Sequence, residues 1–439
     1  MNISKTVAFL LYVYTIAAYA QTVVDPIGIG ARSLGMGNNY TALSSDYSAI
    51  YYNPAGLAFL PVREVQISGI MMRQTEEALL AGQTATADRW RVGFSTIGFV
   101  QALPTTQGGF TLAGGYASPY LLDDVSVFNG TDTSNRTDIL YAFTPATNLR
   151  DTFSLSGVPY TRTKESFTHG QLNLWNIAAG WQVAPNVGVG VTASFITGNT
   201  NRLSHKVAIG TAIGRYATWT LPESSNSAIA TSYLGYDIRL GVMWRPTDIL
   251  QCGLRLELPR HLWFSQTEVL TDLSNNSVYT ESFTGTEKSS FSGAAGVAGI
   301  FSWGTLTSDF VFRTPNPDAP ANSDLAQFKL GAGCGLEVPI KPISSFVRLG
   351  YSYGDLDLFP HQTAYDDIIL PNNGQNISVV HNRQMVTAGL GILSGSSTTI
   401  DIGYGYTFYD FYSTDSDWQN SVLEHHGFSR GTATLTVRY

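Results

Sequence analysis

The sequence is poor in charge: Asp, Glu, Lys and Arg together make up 13% of its 439 residues. Soluble domains contain about 25% charged residues, so other residue types must cover much of this surface. Glycine, serine, threonine, asparagine and the aromatic residues, which account for 12%, are the candidates. The net charge of −8 and the lack of any Lys/Arg cluster argue against nucleic acid as a partner.

Cysteine is nearly absent as well, since Cys252 and Cys334 are the two cysteines of the chain. A single possible disulfide excludes a scaffold held together by disulfides. Each cysteine falls among outward-facing apolar residues on a different predicted strand. We therefore predict two free thiols that behave as small apolar side chains.

Long apolar runs are missing beyond the N-terminal segment, so the sequence predicts no transmembrane helix. The segment itself has Lys5, an apolar run over 6–17 and then Ala18-Tyr19-Ala20. This is the layout of a secretory signal peptide, and its apolar run is too short to cross a bilayer core of about 30 Å. We predict a signal peptide at 1–20, cleavage after Ala20, and export of the chain.

Helical periodicity is also scarce, and alternation of polar and apolar residues takes its place. In "SYLGYDIRLGVMWRP" one face is apolar, with Leu234, Tyr236, Ile238, Leu240, Val242 and Trp244. The opposite face carries Asp237, Arg239 and two glycines, as a hydrated and crowded lumen would. The alternating segments are about ten or more residues long, whereas strands of soluble proteins average about five or six.

Fourteen alternating segments are found, an even number as expected for a single-chain bacterial barrel. They lie at 62–73, 90–102, 109–119, 169–183, 187–199, 232–245, 248–261, 287–301, 304–314, 325–337, 344–354, 382–394, 398–411 and 429–439. The short connections are 103–108, 184–186, 245–248, 302–304, 338–342 and 394–397, and the long ones lie near 73–89, 121–168, 199–231, 262–286, 314–324, 355–381 and 412–428. Short turns on one side and long loops on the other predict an all-β fold, an antiparallel transmembrane β-barrel of the bacterial outer membrane.

Aromatic residues gather at predicted strand ends, where the girdles of a membrane barrel should lie. The short-turn ends carry Trp181, Trp244, Trp303 and Tyr439, and the long-loop ends carry Trp263, Phe264, Tyr409, Phe411 and Tyr412. This distribution favours a membrane barrel over a soluble β-sandwich, which would also alternate.

Residues 21–61 precede the predicted barrel at 62–439 and show no period of two. The stretch "SSDYSAIYYNPAGLAFL" predicts two short helices, the first capped by Ser44 or Ser45. Asn53-Pro54 starts the second, because proline suits the first helical position and Asn53 can accept a bond from the amide of residue 55 or 56. Together with turn-forming glycines, this predicts a compact hatch that plugs the lumen of a wide barrel.

The stretch "GARSLGMGNNYTALSSDYSAIYYNPAGLAFL" resembles the N-terminal hatch signature of the FadL/TodX family of outer-membrane transporters for hydrophobic compounds. The residues that carry the resemblance are Gly35, Gly37, Asp46, Asn53, Pro54, Ala55 and Gly56. Further along, "GYDIRLGVMWRPTDILQCGLRLELPRHLWF" is similar to a strand–turn–strand segment of that family. The resemblance implies a fourteen-stranded barrel without a cofactor that passively takes up long-chain fatty acids or other hydrophobic small molecules.

The resemblance also implies a route: capture among the extracellular loops, passage into the lumen, and lateral exit where the hatch shifts and the third strand kinks. The third strand here is "GFTLAGGYASPYLLDD", in which Gly114, Gly115 and Pro119 interrupt the alternation. These residues form a candidate lateral gate, unless Pro119 simply ends the strand at the membrane rim. The following long loop offers a candidate apolar substrate site at Ile139, Leu140, Tyr141, Phe143 and Phe153.

Other functions are weaker alternatives. PorV-like relatives share the hatch signature, so the chain could instead be a type IX secretion shuttle or scaffold that binds secreted cargo proteins. A third alternative is an open polar porin, and the predicted hatch weakens it, because a plugged lumen would conduct poorly. In each case the barrel wall is expected to contact outer-membrane lipid and lipopolysaccharide.

The histidines do not predict catalysis. No Ser-His-Asp arrangement follows from residue order, because such a triad is assembled in space. The pair His425-His426 beside Glu424 is the one group that suggests a metal, but adjacent histidines usually face apart. We therefore predict no catalytic residue, no metal and no enzymatic activity.

Overall fold

The computed structural model describes residues 27–80, 82–132, 140–144, 149–154, 160–214, 218–273, 276–315, 328–354, 383–414 and 421–439. The predicted signal peptide at 1–20 and the start of the predicted hatch lie outside these residues. Among the helices of the described chain, none has the length and apolar content needed to span a membrane.

The described strands form one antiparallel sheet. They are β1 (Glu64–Leu80), β2 (Gln83–Leu103), β3 (Phe110–Leu121), β4 (Asp124–Asp132), β5 (Leu140–Thr144), β6 (Leu149–Ser154), β7 (Tyr160–Ala184), β8 (Val187–Gly214), β9 (Thr218–Trp244), β10 (Leu250–Glu257), β11 (His261–Asp272), β12 (Ser277–Lys288), β13 (Ser292–Phe301), β14 (Gly304–Arg313), β15 (Lys329–Ile340), β16 (Ser345–Gly354), β17 (Arg383–Ser394), β18 (Thr398–Thr414) and β19 (Ser421–Arg438).

The number of wall strands is smaller than the number of these segments, because some segments are parts of one wall strand. β3 and β4 both pair with β7, so they are two parts of one wall strand. β10 and β11 both pair with β9, while β13 continues the line of β12. The short pair β5–β6 adds no wall strand, because β6 pairs with the far end of β8 in line with β7.

The sheet closes on itself through β1 and β19, which pair from Glu64↔Arg438 to Leu79↔Leu423. Counted over the described residues, fourteen antiparallel wall strands form a closed barrel, as the sequence predicted. Closure pairs the first strand with the last, so neither end of the sheet is left as a free edge.

The outward face of the barrel is apolar and the inward face is polar. On β9, Leu234 and Trp244 are each 48% exposed, whereas Asp237 and Arg239 are fully buried inside. Exposed apolar residues recur on every wall strand from β1 to β19. A continuous apolar belt on this scale is stable against lipid and not against water, so this is the architecture of an outer-membrane barrel.

Several wall strands are longer than predicted. β8 has 28 residues and β9 has 27, which correspond to about 90 Å at 3.3 Å per residue. The predicted loops at 73–89 and 199–231 are wrong, because most of their residues continue the hairpins β1–β2 and β8–β9. Beyond the lipid both faces of a strand are hydrated, so the alternation weakens although the backbone pairing persists.

The predicted aromatic girdle is confirmed at the short-turn ends, where Trp181, Trp244 and Trp303 face outward and are about half exposed. At the long-loop ends it is wrong for Phe264 and Tyr409. Phe264 packs against apolar residues inside the barrel, and the buried Tyr409 ring stacks on His426 with centroids 4.9 Å apart. Both predicted thiols are confirmed as free cysteines.

Candidate functional site

Residues 27–60, here called the hatch segment, lie inside the barrel. They contain helix α1 (Ala31–Gly35), helix α2 (Ala49–Tyr52) and a 3-10 helix (Pro54–Phe59). Nearly all of their side chains are buried, and the helices contact strands on several sides of the wall. The segment therefore packs against several sides of the wall from inside the barrel.

The wall accommodates the hatch segment through glycines that face inward. A Cβ atom added at Gly190 would lie 2.3 Å from the backbone of Pro54, and one at Gly350 would lie 2.2 Å from the Gly37 nitrogen. Within the wall strands, the glycines that place such an atom closer than 3.0 Å to the hatch segment are Gly98, Gly115, Gly180, Gly188, Gly190, Gly241, Gly253, Gly333, Gly335, Gly350 and Gly403. Because they belong to strands from β2 to β18, the hatch segment rests against wall backbone on many sides.

The Asn-Pro-Ala triplet fixes the hatch segment to the wall and to itself. The Asn53 side chain accepts a hydrogen bond from the Ala55 amide at 3.1 Å, as predicted for this cap, with Pro54 at the first helical position. The same side chain donates to the carbonyls of Thr41 at 2.9 Å and Val242 at 3.1 Å. One amide thus ties two parts of the hatch segment to strand β9.

The glycines of the motif allow close backbone contacts. A Cβ at Gly56 would lie 2.0 Å from the Ser44 carbonyl oxygen, and one at Gly35 would lie 3.1 Å from Gly389 Cα on β17. Gly37 has a φ of 69°, in the left-handed region that favours glycine. Side chains at Gly35 and Gly37 would push the hatch segment away from the wall, and one at Gly56 would push apart two parts of the hatch segment.

Asp46 organises the turn before α2. Its Oδ1 atom accepts hydrogen bonds from the Ser48 amide, at 2.9 Å, and from the Ser48 hydroxyl, while its Oδ2 accepts one from the Tyr40 hydroxyl at 2.8 Å. The predicted cap by Ser44 or Ser45 is wrong, since α2 begins at Ala49 and Ser44 donates to the Tyr40 carbonyl. Instead, the Asp46 carboxylate accepts the hydrogen bond from the amide of Ser48, the residue that precedes α2.

An ion-pair network anchors α1 to the wall. Arg32 forms a bidentate pair with Glu337, with both N–O distances at 2.9 Å, and also donates to Tyr40. Arg348 in turn donates to Glu337 at 2.6 Å and to Asp401 at 2.7 Å. Burial raises the pKa of Tyr40, which keeps its hydroxyl a neutral donor. Inward-facing charges of β15, β16 and β18 thus pair with one another and with the hatch segment.

The third wall strand leaves the wall near the candidate gate. Pairing between β2 and β3 ends at Thr96↔Ala117 in the described chain, although β2 continues to Gln83. The pairing of β3 with β7 shifts between Ala117 and Tyr120, and the residues over 117–122 are all buried. Six consecutive buried residues are incompatible with a strand in the wall plane, so this part of the chain turns into the lumen.

The three predicted gate residues differ in their environments. Gly114 pairs regularly with Phe99 and Ile177. Gly115 has a φ of 155°, and a Cβ there would lie 2.3 Å from the Ile97 carbonyl oxygen and 2.5 Å from the Tyr47 hydroxyl. Pro119 lies within the register shift, and its carbonyl accepts a hydrogen bond from the Ile27 amide at 2.8 Å. Two of the three thus contact the hatch segment directly.

The inserted segment, residues 117–126, separates two apolar clusters inside the barrel. One contains Tyr120, Leu122, Leu172, Leu174, Ile196, Tyr233 and Leu262, with Phe264 packed against it. The other contains Ile27, Ile70, Met72 and Leu121, with Phe428 packed against it. Apolar side chains that face a barrel lumen are stable when they contact one another or an apolar solute.

Cationic groups lie next to the larger cluster. Arg260 donates to the Tyr120 hydroxyl at 2.9 Å, and Arg239 pairs with Asp237 at 2.6 Å. A cavity of about 180 Å³ continues from here above the hatch segment. Its lining includes Arg255, Arg260, Arg313, Lys329 and Arg383, together with the carboxylates of Glu257 and Asp309.

The predicted apolar substrate site falls partly within the described residues. Leu140, Tyr141 and Phe143 belong to β5 and Phe153 to β6, which pair with each other, while Ile139 lies outside the described residues. These strands follow the inserted segment in the chain, and β6 pairs with the end of β8.

Sequence reasoning missed the residues that connect the hatch segment to the gate. Tyr47 lies against Gly98 and Gly115, and Ile27 bonds to Pro119. The glycines of β2 and β3 were visible in the sequence as interruptions of alternation. Their partners were not, because residues far apart in the chain meet only after the barrel has closed.

No protein-family model and no curated protein sequence matches the chain. Several solved structures match it. One is the P. putida toluene transporter TodX, with 13% identity, a TM-score of 0.60 and an alignment that covers 94% of this chain and 99% of TodX. A Pseudomonas aeruginosa FadL homologue has 12% identity, a TM-score of 0.60 and coverage of 96% and 99%. The Ralstonia pickettii toluene transporter TbuX has 11% identity, a TM-score of 0.55 and coverage of 94% and 99%. The chain therefore has the fold of these channels over nearly its whole length.

Proposed function

We propose that this chain, which has the fold of the FadL and TodX channels, lets hydrophobic small molecules pass through the outer membrane. The proposal rests chiefly on one observation: the hatch segment lies inside the barrel and contacts strand β3 where β3 leaves the wall. A solute that enters from outside meets a closed lumen below it and an interrupted wall beside it. Lateral exit into the membrane between β2 and β3 is then the shortest route. Such passage needs no catalytic step.

The inserted segment lies at the centre of this route. Its residues Tyr120 and Leu121 belong to different apolar clusters, so a movement of the segment opens apolar surface on both sides. The Ile27–Pro119 hydrogen bond couples that movement to the start of the hatch segment. We infer that the hatch segment gates the exit by holding or releasing this part of β3.

Long-chain fatty acids fit this interior better than solutes that are entirely apolar. The larger apolar cluster suits an acyl chain, and the neighbouring cavity carries five cationic side chains against two carboxylates. A carboxylate head group gains charge-assisted hydrogen bonds there. TodX and TbuX are named as toluene transporters, so a neutral aromatic hydrocarbon is the natural comparison substrate.

Crosslinking tests the lateral route. Arg91 on β2 and Asp123, which belongs to the inserted segment, form an ion pair of 2.7 Å across the interruption. We expect Arg91→Cys/Asp123→Cys, joined by a short bis-methanethiosulfonate, to lose uptake of labelled oleate by the reconstituted protein and to regain it on reduction. Replacing both native cysteines by serine removes side reactions.

A matched control is available on the same strand. Arg73 and Asp88 also form a 2.7 Å ion pair, but it joins β1 and β2 where both side chains are exposed. Crosslinked Arg73→Cys/Asp88→Cys should transport normally. Uptake that survives the first crosslink would refute lateral exit at this position, and secreted proteins that co-purify from native membranes would favour the shuttle function instead.

Lipid extracted from the purified protein identifies the substrate class. Fatty acid recovered at about one molecule per chain, and displaced by added oleate but not by toluene, would support the fatty-acid proposal. Displacement by toluene alone would favour a hydrocarbon channel.

A further inference from the structure

Three metal-ligating side chains meet inside the outer part of the barrel. They are Glu76 on β1 and Glu424 and His426 on β19, all buried, with one ligand atom from each lying within 4.8 Å of the others. Strand pairing explains the cluster, because Glu76 lies opposite His426 and Ala78 lies opposite Glu424. We propose that these three residues bind one divalent transition-metal cation, with zinc as the reference ion.

The geometry is close to that of a metal site. Donor atoms bound at about 2.0–2.2 Å in a tetrahedral arrangement lie about 3.3–3.6 Å apart. The His426 Nε2 and Glu424 Oε2 atoms are separated by 3.2 Å, which fits two ligands of one ion. The third ligand atom lies within 4.8 Å of the others and needs a shift of at most about 1.5 Å, which a change of glutamate rotamer provides.

An independent observation points to a missing cation. Glu76 is 2% exposed, and its Oε2 atom has no hydrogen-bond partner among the described residues. Leaving a buried carboxylate oxygen without a partner is costly, whereas coordination to a metal removes the cost. Its other oxygen accepts a hydrogen bond from the Val127 amide at 3.3 Å, which orients the carboxylate.

The carboxylates around the site favour a bound cation, although two cationic side chains already lie nearby. Asp124, on the inserted segment, adds a third carboxylate near Glu76 and Glu424. Lys164 and Arg202 lie within electrostatic range of this group and offset part of its charge. The imidazole ligand decides the kind of ion, because calcium and magnesium prefer oxygen ligands while zinc, copper, nickel and iron accept nitrogen.

Bound metal would strengthen the contact between the barrel seam and the inserted segment. Glu76 joins the site to Val127, and Gln74 donates to Asp124 at 3.5 Å two residues earlier on the same face. β1 and β19 are the first and last strands, so the ion would also cross-link the seam. This consequence concerns the segment that the proposed function assigns to the gate, but metal binding itself is measured without transport.

The test uses full-length protein without a histidine tag, stripped with EDTA in detergent and titrated with Co²⁺ and then Zn²⁺. We expect one ion per chain, with a visible cobalt absorption band that zinc abolishes. Removing one ligand should weaken binding at least as much as removing a supporting partner does, about 10–100-fold. The variants are Glu76→Gln, which keeps the acceptor for Val127, and His426→Gln.

The neighbouring histidine provides the matched control. His425 faces outward, where it is about half exposed and pairs with Asp410 at 2.6 Å, so His425→Gln should bind metal as the wild type does. Wild-type protein that binds no cobalt, or equal binding by His425→Gln and His426→Gln, would overturn the proposal. If Glu76→Gln does not fold, as judged by heat-modifiable gel mobility, the two histidine variants decide the outcome. Unchanged oleate uptake with lost metal binding would leave this site standing and separate it from the gate.

Discussion

The contact between Tyr47 and Gly98 offers a direct test of how the hatch segment is held. A Cβ atom at Gly98 would lie 2.0 Å from two ring atoms of Tyr47, whereas ordinary contacts begin near 3.4 Å. Gly98→Ala therefore requires the ring to retreat by about 1.4 Å, and overpacking of this kind costs about 1–3 kcal/mol. Because the strain exists only while the hatch segment is seated, the ratio of displaced to seated states should rise about 5–150-fold.

Planar-bilayer recording measures this ratio as the time spent open divided by the time spent closed. Gly98→Ala should open more often than the wild type, while Gly93→Ala should not, since a Cβ there meets Ile70 at an ordinary 3.8 Å. In a Tyr47→Ala background the clash has no partner, so Gly98→Ala should add nothing further. Equal conductance of Gly98→Ala and Gly93→Ala, or fully additive effects with Tyr47→Ala, would refute the reasoning.

Three further outcomes are expected. Arg32→Ala should lower the free energy of unfolding in detergent by about 1–3 kcal/mol, because Glu337 keeps Arg348 as a partner and is not left as a lone buried charge; a loss of more than 5 kcal/mol would contradict this. Tyr120→Phe should cost about 1.5–3 kcal/mol in the same measurement, since it keeps the ring and removes the acceptor of two charged donors, Arg260 at 2.9 Å and Arg239 at 3.4 Å. Cys334, exposed on the outward face of β15, should react in proteoliposomes with a lipid-soluble maleimide and resist a charged one; the opposite order would place that face in water.

The fold was predictable wherever it depends on a pattern within a single strand. The alternation that places Leu234 outside and Asp237 inside is a local pattern, and the lipid on one side makes it strong. The Asn53–Ala55 bond was predictable for the same reason, because a cap and its amide are two residues apart. These features depend on neighbours in sequence.

Features that depend on closure could not be predicted. The strand extensions over 73–89 and 199–231 are fixed by hairpin pairing beyond the membrane, where alternation is weak. Tyr409 is a different case, because its alternation with the outward Phe408 already indicates that it points inward, and the expectation of an aromatic girdle was wrong against that local pattern. The contacts of Tyr47 with Gly98 and Gly115 join parts of the chain that no local pattern relates.

The length of the β8–β9 hairpin also determines where a solute first meets the protein. Strands of about 90 Å, tilted by about 40°, rise about 70 Å, more than twice the roughly 30 Å of bilayer hydrocarbon. Tens of ångströms of paired strand therefore extend above the lipid on this side of the barrel, whereas β13 to β17 have 10 to 12 residues each in the described chain. A molecule that approaches from this side would meet the β8–β9 hairpin well before it reaches membrane depth.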